Sequence, residues 1–279
     1  MAQTQRPNII LILADDIGYN TLTCNGGTTY STQNLDSLAQ QGMRFTQCHA
    51  SPLCSPSRFM LLTGKYNFRN YTLWGKLDTG QKTIGNMMKD AGYKTACYGK
   101  WQLDGGDASV RTVGFDNYCL WDPFQSENQP RYKNPLIYTN GAYVSSPMTA
   151  DKYGEDIFTD SVLNFLDSNK SVPFFIYYPM VLAHYPFSPT PDDSDFSTWS
   201  DSNVINGVSD TSYYYSMIKY MDKKIGLIIN KVKSLGIENN TVIIYTGDNG
   251  TPGKITEIVG DSIAMGQKGK TNELGTHVP

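Results

Sequence analysis

The run Ser51-Pro52-Leu53-Cys54-Ser55-Pro56-Ser57-Arg58-Phe59-Met60-Leu61-Leu62-Thr63-Gly64 decides how the rest of the chain is read. A polar, proline-bearing start gives way to apolar residues at helical spacing, and a glycine follows. Ser55 suits the N-cap, Pro56 the first helical position and Gly64 the C-terminal stop. That pattern predicts a helix with Cys54 at its N-terminus, where free backbone N–H groups and the macrodipole attract an anion. Arg58, one turn further on, adds a forked donor matched to a tetrahedral oxyanion. Taken alone, C-x-P-x-R serves equally well as a structural cysteine beside a helix cap. The flanking elements have to decide between the two.

Toward the N-terminus, Pro7–Ala14 is a continuous apolar run, the pattern of a strand buried on both faces of a parallel sheet. It ends in Asp15-Asp16. A helix over Thr32–Gln41, closed by Gly42, and an extended piece over Met43–His49 lead back to the cysteine. Toward the C-terminus the same alternation repeats. A helix over Lys82–Ala91 stops at Gly92, and a strand over Tyr93–Tyr98 runs out into Lys100-Trp101-Gln102. A helix over Asp151–Asn169 is followed by a strand over Pro173–Val181, with His184 just beyond it. The long helix Tyr213–Leu235 ends at Gly236, and a strand over Asn240–Thr246 ends in Asp248-Asn249. Residues 104–150, with a short hairpin at most, and residues 188–210 read as long loops, the latter exposed. The expected fold is α/β, with a mostly parallel central sheet flanked by helices, in one domain over residues 1–279.

In open parallel sheets ligands gather outside the carboxyl ends of the strands. Asp15, Asp16, Lys100, His184, Asp248 and Asn249 all fall there. Three carboxylates and an amide are hard oxygen donors, suited to Ca²⁺ or Mg²⁺ rather than zinc. The five cysteines (Cys24, Cys48, Cys54, Cys97, Cys119) include no close C-x-x-C pair. With a divalent ion, and with Arg58, Lys100 and Lys268 in the same pocket, the charge is positive overall. Such a pocket favours a sulfuryl or phosphoryl group.

Composition narrows the partners. A net charge of −3 shows no basic surplus, which argues against nucleic acid. At 39% hydrophobic residues the chain can build a packed core, and no apolar run reaches the roughly 18 residues of a membrane span. The polar Met1–Arg6 stretch lacks the apolar core of a signal peptide. The expected location is therefore cytoplasmic, or periplasmic or secreted if a leader was removed.

The motif C-S-P-S-R-x-x-L-L-T-G, residues 54–64, resembles the signature of the type I sulfatases, members of the alkaline phosphatase superfamily, and the likeness runs from Asn8 to Pro279. The resemblance implies that Cys54 is oxidised to formylglycine by a sulfatase-maturing, formylglycine-generating enzyme. It implies that Asp15, Asp16, Asp248, Asn249 and the modified Cys54 bind Ca²⁺ in preference to Mg²⁺. Arg58, Lys100, His184 and Lys268 then hold the sulfate and steady the nucleophile, with Gln102 also facing the substrate. Lys268, rather than Lys270, is placed by its distance to Glu273 in a tail similar to K-G-x-x-x-E-G-G-x-R-V-P. The implied reaction is hydrolysis of a sulfate monoester on a carbohydrate or an aryl group. One hydroxyl of the hydrated aldehyde attacks sulfur and the other expels sulfate. A phosphodiester or phosphonate monoester hydrolase of the same superfamily, and a weakly active or non-catalytic binder of sulfated glycans, are the alternatives.

Two departures qualify the resemblance. The family usually has Lys-Trp-His-Leu where this chain has Lys100-Trp101-Gln102-Leu103, and glutamine cannot transfer a proton. Family members also usually continue past the position of Pro279 with a smaller C-terminal subdomain, so the chain is expected to be incomplete there.

Overall fold

In a computed structural model of the chain, residues 6–71, 73–126, 129–200 and 210–279 are described. The apolar run near the N-terminus forms strand β1 (Asn8–Ala14), at the heart of a seven-stranded sheet. With β2 (Lys94–Lys100), β3 (Asn117–Trp121), β4 (Ile137–Thr139), β5 (Ala142–Tyr143), β6 (Phe174–Pro179) and β7 (Thr241–Gly247), the order is β5-β4-β3-β2-β6-β1-β7. The pairs β1–β6, β1–β7, β2–β6 and β2–β3 are parallel, and the hairpin β4–β5 extends the sheet antiparallel from β3. A separate antiparallel ribbon is made by β8 (Thr256–Val259) and β9 (Ser262–Met265).

Alternation along the strands explains why they read as continuous hydrophobic runs. Ile10, Ile12, Ala96, Tyr98, Ile176 and Tyr178 point into one apolar cluster, which contains Phe158, Val162 and Leu166 of the Gly154–Asn169 helix. The same cluster takes in Met217, Met221 and Ile225 of the Ser212–Ser234 helix. Leu11, Leu13, Cys97, Phe175 and Tyr177 point the other way, into a second cluster with Phe59, Leu62, Val110 and Val113. Both faces are covered over β1, β2 and β6, so neither face selects for polar residues there, while Val242 and Ile244 of the edge strand β7 are exposed. The α/β sandwich predicted from the sequence is the one observed.

The reading of residues 104–150 as loops is corrected in part. They contain a helix over Gly106–Thr112, the central-sheet strand β3, the β4–β5 hairpin and a short helix over Ser146–Thr149. Strand β3 is five residues long and sits between Asp116 and Asp122-Pro123, too short to show a period of its own. The segment after His184 is also less exposed than expected, since Ser188 and Thr190 are each 1% exposed. Residues 201–209 of that expected loop lie outside the described residues. The piece Met43–His49 forms no strand and makes a single bridge, His49 to His277. All five cysteines are free.

Candidate functional site

The site is assembled at the carboxyl ends of β1, β2, β6 and β7 and at one helix N-terminus. The helix carrying the opening motif spans Cys54–Thr63, so it starts at the cysteine itself. Leu53, in extended conformation, occupies the N-cap, and no side chain caps it, which moves the boundary ahead of Ser55. The Ser57 hydroxyl instead donates to the Ser51 carbonyl at 3.0 Å, folding the preceding loop against the first turn. Gly64 ends the helix as expected: it is left-handed at φ 65°, and its N–H donates to the Met60 carbonyl at 2.8 Å. Cys54 is buried, 5% exposed.

Past the end of β1, Asp15 continues the ladder: its N–H donates to Leu182 O, and its own carbonyl accepts from Ala183 N–H, both at 2.8 Å. Asp16 turns left-handed at φ 63°, and its N–H donates to Asp248 Oδ1 at 3.1 Å. The hydroxyl of Tyr214, from the long helix, donates to the Asp16 carbonyl at 3.0 Å. At the end of β7, Asp248 N–H donates to the Ala14 carbonyl at 3.1 Å, and Asn249 donates from Nδ2 to Asp16 Oδ1 at 2.8 Å. The two strand-end acid pairs are therefore one cluster, not two turns.

Three cations answer three carboxylates. Lys100 Nζ lies 2.7 Å from Asp15 Oδ2, and Lys268 Nζ lies 2.6 Å from Asp16 Oδ1. Arg58 donates from Nε and its NH2 group to Asp248 Oδ2, at 3.1 and 2.8 Å, and lies 3.6 Å from Asp15 Oδ1. Burial works to raise the Asp15 pKa, but Lys100, His184 and Arg58 together hold it well below the usual carboxylate range. Asp248 is pushed up, by burial first and by the neighbouring Asp15 charge second. Desolvation opposes the charge on Arg58, yet Asp248 and Asp15 keep the guanidinium firmly protonated. Lys268 is likewise held protonated against its own burial, chiefly by Asp16 and with a contribution from Asp15.

His184 Nε2 lies 3.8 Å from Asp16 Oδ2, and Nδ1 contacts the Tyr185 carbonyl. Burial lowers its pKa to about 3 despite the attraction of Asp16 and Asp15, so the ring is neutral near neutral pH. Cys54 opens the helix that carries Arg58 one turn on, and Gly269 N–H donates to the Pro52 carbonyl at 2.9 Å, which brings the Lys268 segment against the loop leading into the motif cysteine. Asp15, Asp16, Cys54, Arg58, Lys100, His184, Asp248, Asn249 and Lys268 are thus brought together. No hydrogen bond or ion pair among the described residues ties Gln102 to them: its N–H donates to the Asp122 carbonyl at 2.9 Å.

The donor set fits a hard divalent cation. The buried Oδ1 atoms of Asp15 and Asn249 have no hydrogen-bond partner, and Asp15, Asp16 and His184 offer atoms within 4.8 Å of one another. Orphaned carboxylate and amide oxygens beside two further acids are the ligands such an ion takes.

Several supporting residues carry no signal in the sequence. Glu155 is fully buried; its Oε2 accepts from the N–H groups of Val181 and Leu182 at 3.1 and 3.3 Å, and so fixes the chain leading to His184. Tyr132 reaches the Val181 and His184 carbonyls at 2.9 and 2.5 Å. Gly99, at φ 121°, lets β2 pass Pro179, whose carbonyl oxygen would lie 2.0 Å from any Cβ there.

Fold and site together define a parallel α/β domain with an acid cluster, three cations and a helix-borne cysteine at its strand ends. The sequence model of the Sulfatase family matches residues 7–279, and the chain belongs to that family. It is 32% identical to rat arylsulfatase G over 91% of this chain and 53% of the relative. It is 30% identical to an N-acetylgalactosamine-6-O-sulfatase of Bacteroides thetaiotaomicron, over 88% of this chain and 59% of the relative. The crystal structure of Ps i-CgsB in complex with a neocarrahexaose superposes with a TM-score of 0.80 at 26% identity, covering 99% of this chain and 65% of that one. The chain therefore spans little more than half the length of the curated relatives it matches. Among the described residues, no helix is long and apolar enough to cross a membrane.

Proposed function

We propose that this chain carries the catalytic machinery of a sulfuric ester hydrolase acting on a sulfated carbohydrate. The observation that carries the reading is the meeting of Cys54, at a helix N-terminus, with Arg58, Lys268 and the Asp15–Asp16–Asp248 cluster. Relatives named for sulfated amino sugars, and a structural neighbour holding a neocarrahexaose, support a glycan rather than a simple aryl sulfate.

Asp15, Asp16, Asp248, Asn249 and residue 54 would hold the divalent ion, and their all-oxygen donor set argues for Ca²⁺. Bound there, the ion supplies positive charge against which sulfate oxygens and the nucleophile are polarised. A formylglycine at position 54, formed by a maturing enzyme, supplies a hydrated aldehyde as the nucleophile.

The remaining work falls to the chain's own residues. Arg58 lies on the same helix one turn beyond the nucleophile and is locked by Asp248, so its position costs no reorganisation during reaction. Lys100 and Lys268 place two ammonium groups against the same centre and favour charge developing on the sulfuryl oxygens. His184, neutral near neutral pH, can donate one hydrogen bond to a sulfate or ester oxygen without adding charge.

The test joins mass spectrometry to turnover. Protein made alongside a maturing enzyme should yield a tryptic peptide ending at Arg58 with the aldehyde in place of the thiol. It should release sulfate from a chromogenic aryl sulfate faster than it cleaves the matching phosphodiester, and chelation of divalent ions or Cys54→Ala should abolish turnover. Undiminished sulfate release by protein whose residue 54 is plain cysteine would refute the reading.

A further inference from the structure

Beside the charged cluster, the ends of β2 and β3 hold two polar groups that the sulfate chemistry does not use. The ladder between these strands runs past their ends: Trp101 N–H donates to the Trp121 carbonyl at 3.0 Å and Gln102 N–H to that of Asp122 at 2.9 Å. Gln102 and Asp122 are both left-handed, at φ 47° and 49°, a conformation that non-glycine residues adopt at a cost and that gathers at ligand sites. The turn aims Asp122 inward. Its side chain is 2% exposed; Oδ1 accepts from Ser126 N–H at 2.6 Å, and Oδ2 has no hydrogen-bond partner.

Arg131 is the second group. Its guanidinium lies 4.0 Å from the centroid of the Trp121 ring, and its buried NH1 group has no hydrogen-bond partner. The acceptor on Asp122 and the donor on Arg131 therefore do not satisfy each other, although Arg131 acts electrostatically on the Asp122 carboxyl. Asp122 borders the sulfate residues through the strand register, because Trp121, just before it, pairs with Lys100 across β2 and β3. Tyr132, next in sequence to Arg131, is tied to the His184 carbonyl.

A buried acceptor next to Trp121 in the chain and a buried donor over the Trp121 ring, both left open, specify the group that would satisfy them. A second anion would be repelled by Asp122 and an ammonium by Arg131. A hydroxyl satisfies both, donating its proton to Asp122 Oδ2 while accepting from the Arg131 NH1 group.

We propose that Asp122 and Arg131, with Gln102 alongside, form the subsite for the sugar ring that carries the sulfate, and recognise its ring hydroxyls. The inference rests on the sulfatase reading of the neighbouring cluster and adds to it the polyhydroxylated character of the group bonded to the sulfate. Asp122 and Arg131 set specificity and take no part in breaking the sulfur–oxygen bond.

Binding tests this without turnover, using the full chain with Cys54→Ala in the presence of Ca²⁺. Calorimetry would compare inorganic sulfate, cyclohexylmethyl sulfate, which has no hydroxyls, and the 6-sulfates of galactose, N-acetylgalactosamine and N-acetylglucosamine. At least one sugar sulfate should bind ~10–100-fold tighter than cyclohexylmethyl sulfate, the range expected for a hydrogen bond to a charged group. Asp122→Asn, which keeps the shape and the Oδ1 acceptor, and Arg131→Lys, which keeps the charge but not the fork, should each remove most of that preference. A parent with no such preference, or variants that both retain it, would overturn the subsite while leaving the sulfate site standing. Failure of the parent to bind inorganic sulfate or any of these esters would overturn both readings.

Discussion

Replacing Glu155 with glutamine isolates one buried charge whose effect on stability can be worked from its surroundings. The carboxyl sits on the first turn of the Gly154–Asn169 helix, fully buried. Burial raises its pKa from 4.5 to about 7, against the opposing help of the Tyr178 hydroxyl and the N–H groups of Val181 and Leu182. Between those two values the native state holds a proton that the unfolded chain has released. Stability therefore falls as pH rises from 4.5 to about 7 and changes no further above it. The slope reaches about 1.4 kcal/mol per pH unit, and the whole loss is about 3 kcal/mol.

Glutamine has the same shape and no charge. Its carbonyl can accept from Val181 and Leu182, and its amide can donate to the Tyr178 oxygen, whose own proton can go to Thr159 Oγ1 at 2.9 Å. Glu155→Gln should thus be neutral or mildly destabilising in acid and should gain on the parent by about 3 kcal/mol above neutrality. Urea unfolding followed by circular dichroism, at pH steps spanning the window, reads this directly. The difference between parent and variant cancels every other titrating group. Parallel pH profiles would show that the Glu155 carboxyl ionises normally in the native state and would refute the reasoning.

Two further outcomes follow from the site. Gln102→His should raise kcat of the matured enzyme by roughly a hundred-fold or more, because an imidazole two residues beyond Lys100, where the family usually has one, can transfer a proton and an amide cannot. Steady-state kinetics showing no gain would indicate that another group already does that work. Gly99→Ala should destabilise the fold by ~2–4 kcal/mol, since its Cβ would fall 2.0 Å from the Pro179 carbonyl at a left-handed φ. The loss would appear as a lower urea midpoint, and because Lys100 follows directly, sulfate affinity should fall with it.

The sequence by itself determined the α/β class, the presence of a helix at the cysteine motif and the residues at the strand ends. Continuous apolar runs are legible because both faces of a parallel strand are buried, and charged residues just beyond such runs stand out against them. The Cys54 motif is local, so its helix and its Gly64 stop could be placed to within two residues. Strand β3 could not be seen, because five residues between turn-forming neighbours show no period. Only its pairing with β2 makes it a strand. Nor could the roles of Glu155, Asp122 and Arg131 be read. Glu155 lies 29 positions before His184, whose loop it steadies, and Asp122 and Arg131 come to flank Trp121 only where β3 ends beside β2. A side chain's chemistry is written in the chain. Whether it is buried, and which unpartnered atom it meets, depends on contacts that the folded sheet alone creates.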